Sequence, residues 1–384
     1  MDLNTIPFAR SSLLEGLIFT GRYRNYTNAD TWYPSWASDD HLYSPWTDGY
    51  ILEEGGRDES FNDDHPAYAC NSLDLLGRKA ATAQARIIGD DPLNLRIENL
   101  KPRIEADPTP YGGRYPCGSL VHDGVWYYGT LCLLADWDAR PNDWDWHYLG
   151  PFVGFRISRD MGQTWEETPH TPYAPLFDEN PYLGPIKIGK PHFVDFGRDM
   201  QRSPDGKAYL VAHGSSDPDA KNNWHQGEHI YLLRVTPSIK TINDASAYEF
   251  YAGQDDHDTP IWTNDFARIQ PLLSWKDNLG CVAATYNPGL DRYLMCVTNP
   301  IEMGHYDALF LEAPTLTGPW TWFTYLERFG PEAYFLNFPS KFISDDGLRL
   351  WLIYSANWSD RQHSGDPEGS AYALSIHEVV LSRI

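Results

Sequence analysis

A chain of 384 residues, 42% of them hydrophobic and 22% charged, has the apolar content for a large core, which excludes the disordered class. Its 53 acidic against 30 basic residues give a formal net charge of −23, which repels phosphate backbones and anionic lipid and makes nucleic acid and membrane surfaces poor partners. No apolar run approaches the ~20 residues of a membrane-spanning helix, and the opening MDLNTIPFARSSLLEGLIF lacks the basic start and small-residue cleavage site of a signal peptide, so the chain is expected to be intracellular or exported with its signal already removed.

Helix-period patterns are nearly absent, and short β-type runs punctuated by DG, NPG and GP turns fill the chain. A first, irregular segment reads TWYPSWASDDHLYSPWTDGYI, with RKAATAQARIIG as its later strands. In the second, YPCGSLV turns at His122-Asp123-Gly124 into VWYYGTLCLL, and FVGFRISRDMGQTWEE follows as an outer hairpin. The third runs KPHFVDF, SPDGKAYLVAHGSS, HIYLLRVTPSIKTI. The fourth runs RIQPLLSW, LGCVAATYNPGLDRYLMCVTNP, DALFLEAPTLTGPWTWFTYL. FPSKFISDDGLRLWLIYSANW and YALSIHEVVL form the fifth. First strands thus recur near residues 30, 115, 191, 268 and 338, about seventy to eighty-five apart. A four-stranded unit repeated on that scale is the sequence form of a β-propeller. The expected fold is all-β, one five-bladed β-propeller domain over residues 1–384. A β-sandwich with long loops would not repeat the hairpin-plus-hairpin outline. Cys70, Cys117, Cys132, Cys281 and Cys296 show no CxxC spacing and are odd in number, so they read as core thiols.

The outer hairpin of the second segment carries Ser158-x-Asp160-x-Gly162-x-Thr164-Trp165, which resembles the Asp-box of sialidases and related propellers. The resemblance implies a structural role. Asp160 binds backbone amides of the turn, Gly162 supplies a positive φ and Trp165 packs between sheets.

Catalysis in a propeller is expected at the central depression, where the innermost strands begin. NADTWYPSWASDDHLYSPWTDG places four Asp and three Trp in twenty-two residues of the first segment. Two carboxylates facing a sugar are the minimum equipment of a glycosidase, one protonating the leaving oxygen and the other attacking or activating water. Asp30 begins the inner strand, and Asp48 follows a run that returns to the same end. Asp48-Gly49 and Asp39-Asp40 are also ordinary turn chemistry. Trp32 and Trp46 offer apolar faces for a sugar ring. The DTW…DG arrangement resembles the five-bladed endo-D-arabinanases and their relatives, in which two aspartates at about this interval flank the scissile furanoside bond, and this implies Asp30 and Asp48 as the catalytic pair. Five-bladed furanosidases of the arabinanase and fructosidase type imply three carboxylates, a base on the first blade, a second Asp that orients it and a Glu acid, and the candidates for the last two are Asp195 or Asp265, and Glu332.

Other inner-strand starts supply polar side chains for a shared substrate cavity: Arg114 and Tyr115, Lys190 and His192, Asn264, Asp265 and Arg268, Asn337 and Lys341. Any one of them could equally be a structural ion-pair partner, and His192 reads as a core histidine, a cap of the channel or an ion ligand. The expectation is a glycoside hydrolase of a polysaccharide or oligosaccharide, a pentofuranoside such as arabinan being favoured. It needs no cofactor, although the channel has room in this reading for a structural cation. Two alternatives stay open. A polysaccharide lyase would use Tyr115 or His192 as base beside Arg114, Lys190 and Arg268, whereas a non-catalytic sugar-binding propeller would repeat its pocket in each blade. P-loop, GxGxxG, HExxH and GxSxG motifs are absent from the sequence.

Overall fold

The computed structural model describes residues 3–50, 69–70, 80–105, 114–133, 149–179, 185–217, 223–359 and 364–384. Within them five antiparallel sheets form the blades of a β-propeller. Blade one orders Asn28–Asp30, Leu42–Tyr50, Ala80–Ile88 and Arg96–Glu105 from the axis outward, and blade two Arg114–His122, Val125–Leu133 and Leu149–Ser158. Blade three runs Lys190–Phe193, Ala208–Gly214 and Gln226–Val235, and blade four Val282–Asn287, Arg292–Glu302, His305–Ala313 and Thr321–Leu326. Blade five takes Tyr334–Asn337, Arg349–Ser355 and Ser375–Arg383 from the end of the chain, and its outermost strand, Leu14–Asn25, from the beginning. That last pairing, with Leu17 opposite Leu381 and Phe19 opposite Val379, closes the ring through backbone hydrogen bonds.

In blades three and four the middle strands carry apolar side chains on both faces because each blade is covered on both sides. Side chains alternate across a strand, so Leu210 and Ala212 enter the core shared with blade two while Tyr209 and Val211 enter the core shared with blade four. Met295 and Val297 face blade three, whereas Leu294 and Cys296 face blade five. Cys117, Cys132, Cys281 and Cys296 are buried free thiols, as core residues should be.

One strand lies elsewhere than expected. The inner strand of blade four starts at Val282, not near residue 268. RIQPLLSW does lead into a strand, Pro271–Gly280, but this pairs with Gln226–Tyr231 as the outer edge of blade three. An apolar run identifies a strand without naming its neighbour.

The Ser158–Trp165 stretch forms a tight turn closed by the bridge between Ile157 and Glu166. Asp160 Oδ1 accepts from the amides of Gln163 and Thr164 at 3.1 and 2.8 Å, and Oδ2 accepts from the Thr164 hydroxyl at 2.6 Å. Gly162 has φ +90°, and an added Cβ would lie 2.9 Å from the Trp126 ring. Trp165 packs on Trp126 and Tyr128, with ring centroids 5.2 and 5.5 Å away. Asp160→Ala is expected to lower unfolding free energy by about 1 kcal/mol, the scale of a lost capping side chain, with the fold intact by circular dichroism. A variant as stable as the parent in urea titration would contradict this structural role.

Candidate active site

Asp30 closes the first strand of blade one and is buried at 8% exposure. Its carboxylate is held by three hydroxyls. Thr31 donates to Oδ1 at 2.8 Å, and Tyr334, from the start of blade five, donates to Oδ2 at 2.7 Å. The Tyr372 hydroxyl lies 3.2 Å from Oδ2 and 2.7 Å from the carbonyl oxygen of Asp48. The backbone is strained on both sides of the Asp30–Tyr334 bond: Thr31 has φ +63° and Phe335 φ +57°. A β-branched or bulky residue seldom occupies this left-handed region, and such strain clusters where function holds the chain.

Asp48 reaches the same place from the neighbouring strand. Asp30 pairs with Thr47 and Asn28 with Tyr50, so the longer strand carries an extra residue, a β-bulge, with Asp48 at φ +50°. Gly49 is required there, because a Cβ would fall 1.8 Å from the Asn28 carbonyl oxygen. Asp48-Gly49 is therefore a bulge inside the strand rather than a turn. Asp39 and Asp40 do form a turn, in which Asp39 Oδ1 accepts from the His41 amide and Asp40 has φ +71°.

Lys190 opens the inner strand of blade three and is 2% exposed. Its Nζ sits 3.6 Å from the centroid of Phe335 and 5.6 Å from that of Trp224. Burial pushes the Lys190 ammonium below the usual lysine range, while the Cys281 thiol, Asp30 and, more weakly, Asp48 pull it back up. Burial likewise pushes Asp30 above the usual carboxylate range, against the opposing effects of Tyr334, Thr31, Lys190 and Tyr372. Tyr334 is pushed up by burial first and then by Asp30, Tyr372 and Asp48. Asp30 and Asp48 thus act on the same two groups, Lys190 and Tyr334.

The aromatic wall of this site is not the expected one. Trp32 and Trp46 stack on each other inside the core between blades five and one, where Trp32 Nε1 donates to the Ala29 carbonyl. Trp224 and Trp358, both partly exposed, instead meet at 81° with centroids 5.8 Å apart, and Trp224 also touches Tyr334 and Phe335. Trp358 Nε1 donates to the Tyr306 hydroxyl at 2.9 Å. Tyr334 and Phe335 precede Asn337, already marked as an inner-strand start, by only three and two positions, so that signal was within reach. Tyr372 lies just before the final strand, and nothing in its local sequence marks it.

Of the other expected residues, His192 and Asn337 line the axis. His192 stacks on Tyr33 with centroids 3.5 Å apart, beside a cavity of about 30 Å³ that Asp195, Thr285 and Asn337 also line. Neither His192 ring nitrogen, nor the Tyr33 hydroxyl, has a hydrogen-bond partner among the described residues. Burial, Lys190 and His213 hold His192 far below the usual imidazole range, so it is neutral. Among the described residues no three His, Cys, Asp or Glu side chains are grouped to hold a metal ion. Asn337 Nδ2 donates to the Trp32 and Phe335 carbonyls.

The remainder lie away from Asp30. The Arg114 guanidinium pairs with Glu167 at 2.7 Å, and Arg156 shares the same carboxylate. Tyr115 packs against the core between blades two and three. Lys341 pairs with Asp90 at 2.8 Å and Asp40 at 3.8 Å, at the turn end of blade one's inner hairpin. Asp265 caps the exposed 3-10 turn Phe266–Arg268 by accepting from the Ala267 amide, which puts Asp265, Arg268 and Asn264 on the outer edge of blade three. Asp195 accepts from the Gly197 amide and from the amide and hydroxyl of Ser340. Glu332 accepts from the Gly304 amide and from the amide and hydroxyl of Ser359. Both carboxylates tie loops together, and Asp30 is not among their partners.

No protein-family model and no curated protein matches the chain. Solved structures of similar course include a Bacteroides ovatus protein at 12% identity, covering 94% of this chain and 87% of that one with a TM-score of 0.48. A β-xylosidase matches at 13% identity, 94% and 97% coverage and a TM-score of 0.45. The α-L-arabinofuranosidase PaAbf62A from Podospora anserina, in complex with cellotriose, matches at 9% identity, 94% and 92% coverage and a TM-score of 0.44. The chemistry of the present site rests on its own side chains.

The Tyr334 bond favours the ionised form of Asp30, so Tyr334→Phe is expected to move the Asp30 titration to higher pH. Since Asp30 already titrates above an unfolded aspartate, the stability it contributes is complete below pH ~4 and is lost as pH rises through its folded midpoint. Carboxyl-carbon NMR, assigned with Asp30→Asn, would follow the shift. An unchanged or lower midpoint in Tyr334→Phe contradicts the arrangement.

Proposed function

We propose that this protein is a glycoside hydrolase in which Asp30 carries the proton delivered to the leaving oxygen and Asp48 serves as base or nucleophile. The observation that carries the reading is the placement of two carboxylates from adjacent strands at the head of the propeller axis, both acting on Lys190 and Tyr334. Glycosidases need two carboxyl groups in different protonation states across the bond being cleaved. Burial raises Asp30, which lets it hold a proton at a pH where an exposed carboxylate has lost it. Asp48 is less buried, on a bulge that turns it out of the regular strand pattern.

The partly exposed rings of Trp224 and Trp358 supply apolar faces for a sugar, a role that the buried Trp32 and Trp46 do not have. The substrate is then a carbohydrate polymer or oligomer. A pentofuranoside such as arabinan is favoured by the resemblance of the Asp30–Asp48 segment to endo-D-arabinanases. The group expected of a lyase is dispersed, since Arg114 is bound to Glu167 and Arg268 stands on the outer edge of blade three.

Purified protein should release reducing ends from a panel of neutral polysaccharides that includes arabinan, without ultraviolet-absorbing unsaturated products. Asp30→Asn and Asp48→Asn should each lower kcat by ~10²–10⁴-fold, the contribution of a general acid or base, while Asp39→Asn and Asp40→Asn remain active. Full activity in a folded Asp48→Asn variant would remove it from the pair, and product absorbance near the ultraviolet edge would favour elimination over hydrolysis.

A further inference from the structure

We propose that Lys190 is a positioning residue for the carboxylate pair, a buried cation whose charge holds one of Asp30 and Asp48 ionised while the other keeps its proton. This rests on the hydrolase reading and deepens it.

The geometry supplies the argument. Lys190 begins the inner strand of blade three, and Asp30 closes the short inner strand of blade one. Between them Phe335 carries the ammonium on its face at 3.6 Å, and Tyr334, its neighbour in sequence with ring centroids 4.5 Å apart, donates to Asp30. The candidates for the further carboxylates are engaged elsewhere: Asp195 and Glu332 bind loop amides, and Asp265 caps an exposed turn. Among the described residues Lys190 makes no direct contact with a carboxylate. Its hydrogen-bond partner is the Cys281 thiol, with Sγ 4.0 Å from Nζ. A desolvated ammonium without a salt bridge acts through its field, which bulk salt screens little, and it can serve two carboxylates at once.

Two carboxylates sharing one site repel, and without a compensating charge the ionised form of each is disfavoured. One cation restores a state with one proton and one negative charge, which is the state that general acid–base cleavage requires. The charged and titratable groups facing Lys190 are Asp30 and Asp48 from blade one, Cys117 from blade two, and Cys281 from blade four. His192 and His213 of blade three feel the Lys190 charge and are pushed down, first by burial. Burial pushes His213 down to about 4 and His192 well below the usual imidazole range, so both are neutral near pH 7, the thiols are pushed up by burial, and Lys190 is left as the cation of the cluster among the described residues. An ammonium suits this task better than a guanidinium, since it is a compact point charge without a planar fork to satisfy.

The test uses the full chain with Lys190→Met and Lys190→Arg. Carboxyl-carbon NMR on the unliganded protein should show the Asp30 and Asp48 midpoints rising on the order of one unit in Lys190→Met and staying near the parent in Lys190→Arg. The kcat/KM pH profile on the cleaved polysaccharide should move to higher pH on both limbs in Lys190→Met. A purely structural lysine would lower the thermal midpoint and leave the limbs in place. Unchanged Asp30 and Asp48 midpoints in a folded Lys190→Met variant overturn the proposal. Should that variant fail to fold, the side-chain NMR signal of Lys190 in the parent decides: an amine already neutral where Asp30 titrates also overturns it. If no polysaccharide is cleaved, the hydrolase reading fails, and the NMR midpoints still judge the pairing.

Discussion

The pairing of Leu14–Asn25 with Ser375–Arg383 is the constraint on which the site depends. It joins the beginning of the chain to its last blade, and so presses blade five against blade one. The junction continues inward, where the Tyr26 amide donates to the Leu374 carbonyl and the Leu374 amide to that of Thr27. Three residues beyond Leu374's partner Thr27, on the blade-one side, the chain reaches Asp30. On the other side Tyr372 stands two residues before Leu374. The hydroxyls of Tyr334 and Tyr372 meet the carboxylate of Asp30 because the ring closes here. An open chain with the same blades would leave Asp30 without either tyrosine.

A second consequence follows from burying this carboxylate. An ionised aspartate removed from water is unfavourable unless hydrogen bonds or opposite charge compensate. Three hydroxyls and the field of Lys190 compensate in part, and burial still prevails, leaving Asp30 above its ordinary range. The left-handed backbone at Thr31 and Phe335 is strain that the surrounding packing must override, on the order of 1–3 kcal/mol at each such residue. Thr31 is followed by Trp32, fixed in the core between blades five and one, and Phe335 is itself packed in the aromatic cluster with Tyr334 and Tyr372.

Much of this architecture was legible in the sequence because a propeller writes its repeat in turn residues and apolar runs. Asp30, Lys190, His192 and Asn337 were found on inner strands for that reason, although Asp30 and Asn337 close their strands and do not begin them. The error at residue 268 came from a strand whose pattern was sound and whose partner was not stated by it: Pro271–Gly280 joins blade three. Trp32 and Trp46 could be assigned to a sugar or to a core only after the packing of blade five on blade one was known, since composition does not say which way a ring points. Arg114 looked the same as Lys190 on paper, yet Glu167, fifty-three residues later, claims it. Tyr372 depends wholly on ring closure. No local pattern marks a residue whose role is set by a strand more than three hundred residues away.

The central claim is that a carbohydrate is bound across Asp30 and Asp48 at the head of the axis. A crystal structure of the Asp30→Asn variant with a short arabino-oligosaccharide tests it most directly. The account requires a glycosidic oxygen within hydrogen-bond reach of the substituted side chain, with Asp48 on the opposite side of that sugar and Trp224 or Trp358 against a ring face. An oligosaccharide ordered elsewhere on the propeller, with the Asp30–Asp48 region unvisited, would contradict it.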